Sequence, residues 1–197
     1  MNIIKMRTHL IPLILASTLL TGCTALAVSG AATGVSVVHD RRTAGTVIDD
    51  QGIEFQTLKV LYGDESIRVN THINATSYNR LLLVTGEAPT EALRSHIINK
   101  LRQIPNIQKI QNEIIIAAPS ALVSRSSDAI ITSNVKLSLF KLNSIQGFDP
   151  TRVKVVTENG IVYLLGLLRP HEAQAVVDLV SRTSGVQRVI KLFEHSS

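Results

Sequence analysis

The sequence predicts an α+β fold built twice: two tandem units, each α-β-β-α-β, with two helices packed on a three-stranded mixed sheet. Three observations carry this. Apolar runs of strand length, Arg80 to Thr85 and Ile161 to Leu165, each end at a glycine, Gly86 and Gly166. Each is followed within a few residues by a proline, Pro89 or Pro170, suited to a helix start. The two sets are also in register. Asn79 and Gly86 lie 80 residues before Asn159 and Gly166, and Ile107 and Ile110 lie 79 before Val186 and Val189. One inserted or deleted residue in the intervening helix accounts for the drift, so the chain is an internal duplication.

In chain order, Lys5 and Arg7 precede an apolar run from Leu10 to Leu20, and small residues lead to Cys23, the single cysteine. At about 11 residues the run is too short for a bilayer, which needs roughly 20. It reads as a secretion signal over residues 1–22. Leu20-Thr21-Gly22-Cys23 resembles a lipobox. That resemblance implies cleavage before Cys23 and a covalent S-diacylglycerol and N-acyl lipid on it, with no other cofactor. With one cysteine, no disulfide forms within the chain. Residues 23–45 read as a tether, although Gly30 and Gly34, four apart, also suit a close helix contact.

The first unit is expected over 46–116. Asp49 and Asp50 are placed to begin a helix running to Tyr62, and Ile67 to Ala75 alternates as a half-buried strand. A turn at Ser77-Tyr78-Asn79, the strand to Thr85, a helix from Pro89 to Gln103 and a strand from Ile107 to Ala117 complete it. Residues 117–127 read as a linker. The second unit, 128–197, has a helix from Asp128 to Leu142 and an alternating strand through Val153, Val155 and Thr157. Asn159-Gly160 marks a hairpin turn with positive φ. A helix from Pro170 to Thr183, stopped by Gly185, then leads to a strand from Val186 to Phe193. Gly86, Gly160, Gly166 and Gly185 are the expected structural glycines, the two strand-end ones serving a tight exit or close packing on a helix.

The pattern Val-x-Val, Glu-Asn-Gly-Ile-Val-Tyr-Leu-x-Gly, helix, Ser-Gly-Val-Gln-Arg-Val over residues 153–189 resembles the BON domain of bacterial osmotically induced and nodulation proteins. The first unit is a degenerate copy, with Asn-Arg for Asn-Gly at the turn and Pro-Asn-Ile for Ser-Gly-Val. Two such domains behind a lipobox, with His39-Asp40-Arg41-Arg42-Thr43 between, resemble the dual-BON outer-membrane lipoproteins. The resemblance implies a non-enzymatic protein on the periplasmic side of the outer membrane. It also implies binding of anionic phospholipid such as phosphatidylglycerol through the second domain, and a role in envelope integrity and at the division site.

The residues speak to such a site directly. Thr24 to Pro119 carries nine Lys/Arg and nine Asp/Glu, whereas Ser120 to Ser197 carries nine against six, so the basic surplus belongs to the second unit. On a helix from Asp128 to Leu142, Ile131, Val135, Leu139 and Leu142 share an arc of about 80°, the core stripe. Ile130, Leu137 and Phe140 lie roughly opposite, edged by Lys136 and Lys141, with Asn134 beside them. A second apolar patch edged by lysines suits an anionic interface; packing against the first unit is the alternative, and both can share the surface. The resemblance places the lipid-contacting helix here and implies a tryptophan where Ile130 stands; this chain has none. In the first unit Phe55, Leu58 and Tyr62 form a face suited to receive the other domain. Arg152, Lys154, Arg169, Arg182, Arg188 and Lys191 extend the basic character without a placement.

Other functions find little footing. There is no recognisable Ser/His/Asp or Cys/His motif, and no phosphate-binding glycine loop. His9, His39, His72, His96, His171 and His195 show no metal-ligand spacing and read as scattered surface groups. An exported lipoprotein does not meet nucleic acid. The rival reading is a module that docks an envelope protein partner.

Overall fold

In the computed structural model, which describes residues 40–119 and 122–195, each unit makes its sheet from one hairpin and one helical crossover. Helices α1 (Ala44–Gly63) and α2 (Glu65–Asn70) precede the hairpin of β1 (His72–Tyr78) and β2 (Leu81–Ala88), and α3 (Glu91–Leu101) leads to β3 (Lys109–Ile116). The second unit runs α4 (Leu122–Leu139), β4 (Lys154–Glu158), β5 (Ile161–Leu168), α5 (Pro170–Val180) and β6 (Arg188–His195). In both sheets the middle strand pairs antiparallel with the first and parallel with the last, the mixed sheet the sequence predicts. The signal, Cys23 and most of the tether lie outside the described residues.

Several boundaries differ from the sequence reading, each for a local reason. Thr43, not Asp49 or Asp50, caps α1, its hydroxyl accepting the Thr46 N–H at 3.1 Å. Residues 67–70 are helical because the Asp64 carboxylate accepts the Ser66 and Ile67 N–H groups and starts α2. Thr90 rather than Pro89 caps α3. Helix α4 already begins at Leu122, inside the stretch read as linker.

Asp50 has a larger task than starting a helix. Buried within α1, it accepts the Asn79 and Arg80 N–H groups at 2.7 and 2.8 Å and the Ser77 hydroxyl at 2.6 Å. Asp128 repeats the device, accepting from the Asn159 and Gly160 amides at 2.8 Å each. One carboxylate per unit thus ties the first helix to the hairpin turn. The turn residues are left-handed in both copies, with φ of 50° and 63° at Asn79 and Arg80 and 50° and 73° at Asn159 and Gly160. Asp128→Ala should remove the acceptor of one buried and one half-buried amide and lower stability by about 2 kcal/mol, readable in urea unfolding.

The glycines expected at strand exits instead lie inside strands β2 and β5. Gly86 faces the backbone of the neighbouring strand and Gly166 that of the 3-10 turn (Pro150–Arg152) before β4, rather than an α-helix. A Cβ at Gly86 would lie 1.9 Å from the His72 carbonyl oxygen, and one at Gly166 would lie 2.9 Å from that of Arg152. Gly86 also has φ of +112°, whereas Gly166 does not need positive φ. Gly166→Ala is therefore expected to cost about 2 kcal/mol through displaced backbone, seen as a lower denaturant midpoint.

The unbroken apolar strands find their reason in the layering. Leu82 and Val84 of β2 point into a core with Ile53, Leu61 and Ile97 from the helices. Val162 and Leu164 of β5 do the same with Val135, Leu139 and Val176. The alternate residues, Leu81 and Leu83 with Tyr163 and Leu165, form a third core in which the two sheets pack face to face. Both strands are buried on both faces, the condition for continuous apolar runs. The order of layers is helices, sheet, sheet, helices.

Candidate functional site

Because the sheets take up the contact between units, the outer face of α4 is left to solvent. Ile131, Val135 and Leu139 are buried as the core stripe. Ile130, Leu137 and Phe140 are 62 %, 69 % and 54 % exposed, so packing against the first unit does not cover them. Asn134, Lys136 and Lys141 are exposed beside them. Among the described residues no carboxylate lies within ion-pair distance of Lys136 or Lys141. Phe140 and Lys141 sit on a 3-10 turn (Phe140–Leu142) that continues α4. The result is an apolar ridge with two uncommitted cations at its edges. The first-unit face of Phe55, Leu58 and Tyr62 is exposed too, rather than receiving the other domain.

Beside the ridge lies an open groove of about 440 Å³, lined by Lys136, Phe140, Pro150, Thr151, Lys154 and Arg42. Two of its cations are engaged. Lys154 Nζ meets Glu54 Oε1 at 2.9 Å, across the units. Arg42 pairs with Asp40 and Asp50 and lies 3.9 Å over the Tyr78 ring. Burial pushes the Asp40 carboxyl up, but the Arg42 contacts outweigh it and hold it below its ordinary value. Lys136 is the groove's available charge.

Part of the segment read as tether is built into the fold. Arg41 donates to Glu172 Oε2 and Oε1 at 2.5 and 2.7 Å and to the Leu167 carbonyl at 3.2 Å. Glu172 has no exposed side-chain surface, and it also accepts the Arg169 N–H at 2.7 Å at the start of α5. Residue 41 thus straps the start of the described residues to the second unit. Sequence reasoning missed this, since 131 residues separate the partners.

Nor is His72 a scattered surface group. It lies in the seam between sheets, with Nδ1 3.3 Å from Glu87 Oε2 and 3.9 Å from Glu158 Oε1. Burial raises the Glu158 carboxyl above its ordinary value, only partly opposed by the Asn74 hydrogen bond. No helix among the described residues is long and apolar enough to cross a membrane.

A family model of the BON domain matches residues 49–118 and again 127–195. The chain belongs to the BON-domain family. It is 32% identical over 180 residues, 91% of this chain and 92% of the relative, to the outer membrane lipoprotein DolP of Haemophilus influenzae (strain ATCC 51907 / DSM 11121 / KW20 / Rd). It is also 32% identical over 156 residues, 79% of each chain, to a 21 kDa hemolysin of Actinobacillus pleuropneumoniae. Among solved structures, the C-terminal domain of CdsD, a structural protein of the type III secretion system of Chlamydia trachomatis, covers 79% of this chain and 100% of its own. Its identity is 14% and its TM-score 0.27, too low to bear on either BON domain here.

Proposed function

We propose that this chain is a lipoprotein acylated at Cys23, held on the periplasmic side of the outer membrane. There it binds anionic phospholipid such as phosphatidylglycerol through α4 of its second BON domain. The role is non-enzymatic support of envelope integrity, with a place at the division site. The observation that carries the lipid reading is the exposed ridge of Ile130, Leu137 and Phe140 with unpaired Lys136 and Lys141 beside it. Apolar side chains enter the interface while lysine stems follow and their ammonium groups meet phosphates. Likeness to an outer membrane lipoprotein over nine-tenths of the chain supports the compartment.

The test is flotation of the unacylated Cys23→Ser chain with vesicles. Binding to phosphatidylglycerol vesicles, little binding to phosphatidylcholine vesicles, and loss of binding with salt support the reading. No flotation with anionic vesicles by a folded chain would sink it. One observation favours a second reading, a module docking an envelope protein: Ile48, Phe55, Leu58 and Tyr62 on α1 form a second exposed apolar face, bordered by one lysine, Lys59, where α4 has two. A partner that binds equally well after the α4 ridge is made polar would belong to that face.

A further inference from the structure

We infer that the seam between the two sheets holds a site for one divalent transition-metal ion of the zinc class, ligated by His72, Glu87 and Glu158. This stands apart from the lipid reading. One ligand atom from each of the three residues lies within 4.8 Å of the others. Zinc bonds of about 2.0–2.1 Å in a tetrahedron put neighbouring donors roughly 3.3–3.4 Å apart. His72 Nδ1 and Glu87 Oε2 are at that spacing already, 3.3 Å, and Glu158 Oε1 at 3.9 Å needs only a side-chain adjustment to join them. Imidazole with two carboxylates is a donor set that zinc accepts in sites keeping a fourth position for water.

The surroundings are arranged as supports of metal ligands are. Asn159 Nδ2 donates to Glu87 Oε1 at 2.6 Å. Asn74 Nδ2 and Thr85 Oγ1 donate to Glu158 Oε2 at 2.8 and 3.2 Å. These donors reach Glu87 Oε1 and Glu158 Oε2, while Glu87 Oε2 and Glu158 Oε1 face His72, which orients the ligand atoms. Glu87 and Glu158 are 1 % and 6 % exposed, and a divalent ion opposes the repulsion between two buried carboxylates.

The duplication supplies an independent comparison. Positions 72, 87 and 158 correspond, 80 residues away, to Arg152, Leu167 and Tyr78 on the other side of the seam. There the Tyr78 hydroxyl donates to the Arg152 carbonyl at 3.4 Å and accepts the Leu167 N–H at 3.3 Å. A neutral phenol suffices to close that side, so packing the sheets does not require the acidic pair. A pocket of about 230 Å³ bordered by His72 and Asn74 gives access. Arg68 and Arg125 border it as well, which makes the site weaker than a closed four-ligand structural one.

Zinc titration of the full-length Cys23→Ser chain in detergent, followed by calorimetry, tests this. One saturable equivalent is expected, weakened about tenfold or more by His72→Gln and by Glu158→Gln, and unchanged by His96→Gln. Because ligands come from both units, zinc should also raise the melting temperature. Cobalt added to the Cys23→Ser chain, with the seam unaltered, should give the intense visible bands of a four- or five-coordinate ion. No saturable equivalent, affinity that survives His72→Gln, or only the pale spectrum of hydrated cobalt would overturn the site.

Discussion

Arg41→Ala is expected to lower stability by about 3 kcal/mol, because it removes the partner of a fully enclosed carboxylate. Glu172 keeps the Arg169 amide but loses the bidentate guanidinium, and the uncompensated charge costs more than an exposed pair ever contributes. The pH dependence follows. Burial pushes Glu172 up, yet Arg41 and the Arg169 amide overcome this and hold the carboxyl below its ordinary 4.5. A carboxyl depressed on folding stabilises fully above its unfolded value and loses that contribution as pH falls through the folded value. The gap between the parent chain and Arg41→Ala in urea unfolding should therefore be full at neutral pH and narrow below about pH 4.5. An unchanged gap in acid would show that Arg41 acts through packing alone.

The second large effect concerns binding. Ile130→Ser/Leu137→Ser is expected to weaken association with anionic vesicles about a hundredfold. Withdrawing two aliphatic side chains from partial burial at the interface removes about 3 kcal/mol, and each 1.4 kcal/mol is tenfold. Lys136→Gln and Lys141→Gln should cost about 1 kcal/mol each and flatten the salt dependence. Between about 0.01 M and 0.15 M salt the screening length falls from roughly 30 Å to 8 Å, so the parent chain should weaken visibly in that range. Neither pair contributes to the core, so the unfolding midpoint should stay in place.

Much of this was legible in the chain. The apolar strands, the Asn-Gly turn and the offset of 80 residues give both units and their order. The arc of Ile131, Val135 and Leu139 separates the core face of α4 from the ridge. In the degenerate copy, Arg80 and Asn106 adopt the positive φ that Gly160 and Gly185 provide in the second. Asparagine tolerates that region at 106, and Arg80 is held in it by its N–H on Asp50 and its guanidinium on Asp49. What escaped were the contacts between distant residues. Arg41 looked like part of a tether because its partner lies near the other end of the chain. Asp50 and Asp128 looked like helix starts because a side chain that reaches a turn leaves no periodic trace. Their 78-residue separation, matching the two turns to within two residues, was the available signal. The strands' doubly apolar character also signalled sheets facing each other, which settles why the ridge is uncovered.

The central claim is that α4 enters an anionic interface while the sheets hold the units together. The chain contains no tryptophan, so Ile130→Trp creates a single reporter at the ridge. Its fluorescence in the Cys23→Ser background measures the contact directly. A blue shift on adding phosphatidylglycerol vesicles, with quenching by brominated acyl chains, is the predicted result. Emission that stays at its aqueous position while the protein floats with the vesicles would contradict the account.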